Sequence, residues 1–243
     1  MAALVSALAA DTGIKLVPIP AGSFMLGSPP DEGLRSPDEE PQTWVTLTHD
    51  FYIGATDVTQ GQYQALVGSN PSYFKNEGPD APVEQVSWND AMAFCQKLNA
   101  REHAAGLLPD GYAFTLPTEA QWEYACRAGT TGQYAGDLDA MAWYANNSTG
   151  TTHPVATKQP NAWGVYDMHG NVRQWCLDWY VDHLPGGAVT DPLGPATATS
   201  RVVRGGRWDI AASRCRSAYR RGDNPTSRDS GRGFRVVLTL IRN

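Results

Sequence analysis

The stretch FTLPTEAQWEYACRAGT, residues 114–130, ends a strand and opens a helix with almost no chain between them. Pro117 closes the extended segment because it has no N–H to give to a ladder, and Thr118 stands where a helix N-cap is needed. Gln121, three residues on, is its capping-box partner, so the helix is predicted to run to about Arg127 and to stop at Gly129. A strand and a short helix joined this closely predict an α+β chain.

Working upstream, Val86-Ser87-Trp88-Asn89-Asp90 leads into a second predicted helix over residues 91–102, with Ala91, Phe94, Cys95 and Leu98 on one face. Thr56-Asp57-Val58-Thr59 offers a cap for a short helix over 60–67. Residues 45–53 alternate apolar and polar and predict a strand. Residues 16–27 alternate around Pro20-Ala21-Gly22 and predict a β-hairpin. Downstream of Gly129 the chain is rich in Gly, Asn, Thr and Pro. Its apolar bursts at 163–166 and 172–180 are read as parts of loops, with no long regular element. Residues 202–206 and 234–240 are predicted late strands that bracket a polar, Arg-rich loop. There is no internal repeat and no convincing linker, so residues 1–243 are read as one domain with a core over about 16–240.

The chain of 243 residues can bury a core without staples, and 24 Gly and 17 Pro place much of it in turns. Cys95, Cys126, Cys176 and Cys215 lie far apart with no C-x-x-C, so reduced, buried thiols are expected and a zinc site is not. The five histidines show no H-x-x-x-H or H-E-x-x-H spacing, and no P-loop, nucleophile elbow or dinucleotide fingerprint is present. Residues 1–10 have no basic n-region and no apolar run is long enough to span a bilayer, so a cytoplasmic protein without a membrane partner is expected. The net charge of −6 is unevenly spread. Residues 201–243 hold eleven Arg and three Asp, a charge of +8, which leaves −14 on the rest. The Arg-rich end is expected to fold back onto the acidic body, or else to form an anion-binding face. A nucleic-acid partner is not expected.

Seven blocks occur in order: PIPAGSFMLGS (18–28), YIGATDVTQGQY (52–63), PVEQVSWNDAMAFCQKLN (82–99), LPTEAQWEYACRAGT (116–130), NAWGVYDMHGNVRQWCLDWY (161–180), RVVRGGRW (201–208), and CRSAYRRGDNP (215–225) with GFRVV (233–237). Together they resemble the formylglycine-generating-enzyme (sulfatase-modifying factor) family. The resemblance implies that family's C-type-lectin-like fold, an α+β arrangement with little regular structure and long ordered loops. Its catalytic members use two cysteines five residues apart after R-G-G, whose thiolates bind copper and activate oxygen to oxidise a substrate cysteine. Cys215 stands at the second position and Ile210 at the first. One thiolate cannot supply a two-sulfur site, so copper is not expected and the chain is read as a non-enzyme. The alternative is a divergent formylglycine-generating oxidase.

The family also resembles, in its binding members, the variable proteins of diversity-generating retroelements. In these a C-terminal segment is rewritten by adenine-directed mutagenesis, which cannot produce Lys, Glu, Gln, Met or Trp from Asn codons. Residues 1–200 contain 27 Lys, Glu, Gln and Met. A share proportional to length would put roughly six in residues 201–243, and that segment holds none. The resemblance therefore implies a variable ligand-binding segment over about 207–232. Its diversified positions are Asp209, Ile210, Ala211, Ser213, Arg214, Tyr219, Arg221, Gly222, Ser227, Asp229, Ser230 and Gly231. Trp208, Cys215, Arg216, Ser217, Ala218, Arg220, Asn224, Pro225, Arg228, Gly233, Phe234 and Arg235 are read as framework. The expected surface is exposed, contacts a protein ligand, and has Tyr219 as its aromatic anchor. Finally, residues 166–175 resemble the family's calcium loop. That likeness implies a carboxylate from Asp167, carbonyls from Gly170 and Val172, and a side-chain oxygen from Gln174, where the family usually has Glu. Arg173 stands where the family usually has Trp.

Overall fold

The computed structural model describes residues 7, 8 and 12–241. The expectation for residues 1–10 falls almost entirely outside them.

All three expected helices form, each fixed by the cap read from its sequence. Helices α1 (Gln60–Val67), α2 (Trp88–Ala104) and α3 (Glu119–Arg127) start at Thr59, Ser87 and Thr118, and each of those caps takes part in a reciprocal capping box. At α3 the Thr118 hydroxyl accepts from Gln121 N at 3.1 Å, and Gln121 Oε1 accepts from Thr118 N at 3.0 Å. Helix α2 begins three residues before the expected start because Asp90, not a later residue, is the partner of Ser87. A fourth helical turn, α4 (Leu138–Met141), follows.

Eleven strands form three sheets among the described residues: β1-β4-β11-β5, β10-β6-β8-β9 and β2-β3-β7. The expected hairpin over 16–27 is not one. Strand β1 (Leu16–Ile19) pairs with β4 (Phe51–Gly54), while β2 (Gly22–Leu26) pairs with β3 (Thr43–Leu47). The single strand expected over 45–53 is likewise two strands. The pair of segments turns a corner from one sheet to another, and Ala21 N donates to Asp50 Oδ1 at 2.7 Å across the two bends. Alternation says which side chains face inward and nothing about which strand lies alongside.

The second difference lies at 172–180, read as loop. It contains β6 (Arg173–Trp179), whose first four residues are all buried. A strand covered on both faces has no polar alternation, so period-two reasoning passes over it. Strand β6 lies between β8 (Arg201–Arg204) and β10 (Arg232–Gly233), and β9 (Arg220–Asp223) lies beyond β8. The last strand, β11 (Val237–Leu240), joins β4 to β5 (Tyr112–Thr115), and β7 (Ala188–Thr190) edges the third sheet.

Trp122 and Trp175 are fully buried on opposite sides of this framework. Trp175 packs with Phe94, Phe234 and Val236, and Trp122 with Val45, Phe51 and Ile53. Trp88 and Trp179 are half-buried and hold the Arg201 guanidinium between their rings, 3.8 and 3.5 Å from the centroids. The Arg-rich end does fold back onto the acidic body. Arg220 makes a bidentate pair with Glu119 at 2.7 Å on both arms, and Arg204 reaches Glu123. Glu119 and Glu123 therefore serve as anchors for the C-terminal segment, a role beyond the helix-terminus support that their place on α3 suggests.

Candidate ligand-binding site

Residues 205–233 form two loops hung from β8, β9 and β10, strands of one sheet in which β6 lies between β8 and β10. The first loop leaves β8 through Gly205 and Gly206, both at positive φ (94° and 74°). A Cβ on Gly206 would lie 2.5 Å from Cys215 Sγ, so only glycine permits this close return of the chain. The loop is then pinned by Arg216, whose side chain is fully buried. Its guanidinium donates to Glu39 at 2.5 and 2.7 Å, to Glu32 at 2.5 Å and to Leu34 O at 2.9 Å. The second loop is tied down by Arg232, which pairs with Asp223 at 2.7 Å and Asp229 at 2.8 Å, and by Arg228, which is bidentate to Asp90 at 2.8 and 2.9 Å. Behind both loops Arg235 is fully buried and donates to Gln174 Oε1, Gly54 O and Tyr166 O at 2.7–2.8 Å.

Among the positions read as diversified, Asp209, Ala211, Arg214 and Arg221 are exposed, while Ile210, Ser213, Gly222, Ser227, Asp229 and Ser230 are half-buried. Two depart from the expected exposed surface. Tyr219 is only 8% exposed, with its hydroxyl 3.4 Å from Arg214 Nη1, so it is a wall residue and not a projecting anchor. Gly231 is buried, and a Cβ there would lie 2.4 Å from Arg207 Nε. The reason is the twist of the loops. Residues alternate between outward positions and positions that support them, and a reading of sequence positions alone carries no depth.

The positions gather into two groups. Asp209, Asp229 and Gly231 all touch Arg207, which bonds Asp209 Oδ2 at 2.6 Å and Asp229 Oδ1 at 2.9 Å, while the neighbouring Trp208 donates to Ser230 O at 3.0 Å. Tyr219 and Arg221 border an open cleft of about 470 Å³ whose other walls include Asp38, Tyr180 and His183. Gly222 belongs with this group, since a Cβ on it would meet the Tyr180 ring at 2.6 Å. Ile210 and Ala212 pack instead against Tyr144 and Cys215. Ser227 lies apart in the turn after β9, its N–H bonded to Asn224 O at 2.9 Å. The cleft residues Asp38, Tyr180 and His183 were not legible in the sequence, because nothing local to them marks a site. Tyr180 donates to Asp38 Oδ2 at 2.8 Å across most of the chain's length.

The four cysteines are free and buried, as expected. Cys215 has no exposed surface, and burial pushes its thiol up to about 12. Burial does the same to Cys126, whose Sγ lies 3.7 Å from His169 Nε2. Neither sulfur is in an environment that favours a thiolate. His169 accepts from Ala135 N at Nε2 (3.1 Å) and therefore donates from Nδ1 to Cys215 O (2.8 Å). That ring braces the first of the two loops from beneath.

The residues read as a calcium site do not fit a cation. Gln174 Oε1 already accepts from Trp122 Nε1 at 2.6 Å and from Arg235 Nε at 2.7 Å. Its amide nitrogen donates to Asp167 O at 2.9 Å, so a hydrogen-bond donor stands where a ligand oxygen is needed. Asp167 turns Oδ2 to Ala156 N at 2.9 Å, which leaves one carboxylate oxygen, while Gly170 and Val172 bring only backbone carbonyls. Calcium needs six to eight oxygens. A chelator is therefore expected to leave the thermal midpoint unchanged. A calcium ion present at a hundred times its Kd would add about 2.7 kcal/mol and move the midpoint by several degrees. A drop of that size on chelation would refute the assignment.

The three small sheets, the short capped helices and the long pinned loops define a C-type-lectin-like domain of the formylglycine-generating-enzyme type. The chain belongs to the family of sulfatase-modifying factor enzyme 1-like domains, whose model matches residues 2–240. Among solved structures it is similar to Treponema denticola variable protein 1, at 32% identity and a TM-score of 0.81, with 92% of this chain and 94% of that one covered. It is also similar to PvdO from Pseudomonas aeruginosa, at 30% identity and a TM-score of 0.79, covering 93% and 94%. The formylglycine-generating enzyme of Mus musculus is 29% identical over 92% of this chain and 74% of its own length.

Proposed function

We propose that this protein is a non-catalytic binding protein of the variable-protein type, which presents residues 207–232 to a protein ligand. The observation that carries the reading is the division of labour within the C-terminal segment. Arg204, Arg216, Arg220 and Arg235 are buried and bonded to the body, whereas Asp209, Ala211, Arg214 and Arg221 are exposed. A rigid scaffold of this kind lets loop side chains change at small cost to folding. The likeness to Treponema denticola variable protein 1 supports the reading, as does the absence of Lys, Glu, Gln and Met from residues 201–243. Against an oxidase stands the chemistry of the thiols. Cys215 is buried with its thiol pushed up to about 12, and Ile210, at the place of the family's other copper-binding cysteine, has no lone pair to donate. The protein would act in the cytoplasm without nucleic acid or membrane. No helix among the described residues is long and apolar enough to cross a bilayer.

The test is the DNA that flanks the gene. A near-copy of the codons for residues 201–243, carrying adenines wherever the two copies differ and lying beside a reverse-transcriptase gene, is the expected result. A flank without a repeat overturns the variable-protein reading and directs attention to copper binding at Cys215. In the protein itself, substitution of Ala211 or Arg214 by Ser is expected to change stability by less than about 0.5 kcal/mol, as for surface positions generally. Urea midpoints for the two variants provide the measurement.

A further inference from the structure

Every buried arginine of the C-terminal segment has a carboxylate close by. Arg204 has Glu123, Arg216 has Glu32 and Glu39, Arg220 has Glu119, Arg232 has Asp223 and Asp229, and Arg235 has Asp57 at 3.8 Å. Arg173 stands among them without an ion pair, with Asp223 acting on it only at longer range. It opens β6, is only 5% exposed, its Nε is buried with no hydrogen-bond partner, and no ion pair joins its guanidinium to a described residue. An unpaired buried cation costs several kcal/mol, so a fold that retains one leaves an electrostatic demand unmet.

What surrounds Arg173 says what would meet that demand. It is in register with Arg232 across the parallel β10–β6 pair, which places both side chains on one face of the sheet. Arg232 is also 5% exposed, and although Nη2 is used by Asp223 and Asp229, its Nε and Nη1 have no partner. Two adjacent guanidinium groups thus hold unused donors. The nearest carboxylate, Asp223, is already shared by Arg232 at 2.7 Å and Arg221 at 3.3 Å. Around the pair, Arg207, Arg214 and Arg221 bring the arginines to five, against the three carboxylates of Asp209, Asp223 and Asp229, a local charge of +2. Asp209 and Asp229 are themselves taken by Arg207. Tyr219 is close enough to Arg173 to interact with it electrostatically.

We propose that Arg173 and Arg232 form the floor of an oxyanion subsite within the variable face, taking a carboxylate or phosphate group that the ligand presents. Charge-assisted hydrogen bonds to guanidinium are among the strongest available to a side chain, and they are stronger away from water. The subsite is built from β6 and β10, outside the positions read as diversified. Every sequence variant of the loops would share it, and the loops around it would set which anionic ligand enters. That last step rests on the ligand-binding reading of residues 207–232, whereas the subsite itself does not.

The experiment compares unfolding of the full chain at pH 7 and low, matched ionic strength in sodium chloride, sodium acetate and sodium phosphate. In the wild type a saturable rise of a few degrees in the midpoint is expected with acetate or with phosphate. The anion that acts at the lower concentration identifies the ligand group as a protein carboxylate or as a phosphoryl group. Arg173→Met is expected to melt at the same temperature as wild type in chloride, or higher, and its apparent affinity for the oxyanion is expected to fall about tenfold or more. Lys97→Gln, which removes an exposed cation from α2, is expected to keep the response. A wild type that does not respond, or an Arg173→Met variant that responds equally, overturns the proposal. Neither outcome bears on the flanking-DNA test, so the two readings fail separately.

Discussion

Replacing Arg216 by alanine is expected to lower stability by about 3–5 kcal/mol, the cost of leaving buried charge without its partner. Glu39 has no exposed surface and the Glu32 side chain is 4% exposed, so neither carboxylate could recover its solvation once the guanidinium is gone. Leu34 O and Ser213 O would lose donors at the same time, at 2.9 Å each. Burial opposes the charge on Arg216, and the two glutamates outweigh it, raising the arginine's pKa above its ordinary value. This does not make the ion pair a net source of stability. Exchanging all three charged partners for apolar residues of similar size, as in Arg216→Met with Glu39→Met and Glu32→Met, is expected to cost much less than the single change, because no buried charge of the cluster is then left alone. Urea midpoints of the two variants settle the point. A single variant within about 1 kcal/mol of wild type would mean that Arg216 does not anchor the loop between β8 and β9.

That anchor explains how far the chain could be read without coordinates. Helix starts were legible because a cap and its partner lie three residues apart, as in Thr118 and Gln121, and the physics is complete within one turn. The docking of the C-terminal segment was legible only in sum, as +8 against −14. Which arginine meets which glutamate depends on contacts such as Arg216 with Glu39, 177 residues apart. Strand pairing was illegible for the same reason, which is how the corner between β1 and β2 came to resemble a hairpin.

At the site itself, the exchange of Glu for Gln at 174 was visible, but its consequence was not. Only the fold brings Trp122 Nε1 and Arg235 Nε to the one oxygen that a calcium ion would have needed. Arg173 is the reverse case. Its presence where the family usually has Trp was plain in the sequence, and what makes it informative is a negative, the lack of an ion pair, since the nearest carboxylate, Asp223, is taken by Arg232 and Arg221. No local pattern reports a missing partner. The segment 205–233 combines both situations, since its framework is fixed by buried ion pairs such as Arg216 with Glu39, while exposed Ala211 and Arg214 make none among the described residues.

The second large effect expected is acid destabilisation through His169. The ring is fully buried, and burial is the main cause that pushes its pKa down to about 4, with the positive charge of Arg127 adding to it and the bond to Cys215 O opposing it. In the unfolded chain the same group titrates near 6.5. Above pH 6.5 both states carry a neutral ring, and the brace between Ala135 N and Cys215 O is fully present. As pH falls below 6.5 the unfolded state takes up a proton that the folded state refuses, so stability is lost progressively until the pH reaches about 4, where the folded ring also protonates. Integrated over that window the loss is on the order of 3 kcal/mol. Other carboxylates titrate in part of the same range, so the absolute curve does not isolate the histidine. The comparison with His169→Gln does, because the amide can accept from Ala135 N and donate to Cys215 O yet does not titrate. Urea midpoints measured from pH 4.5 to 7.5 are expected to fall more steeply toward acid in the wild type, with the two curves diverging below pH 6.5. Parallel curves would show that His169 is either accessible to protons in the folded state or charged there, and the packing beneath the loop between β8 and β9 would have to be redrawn.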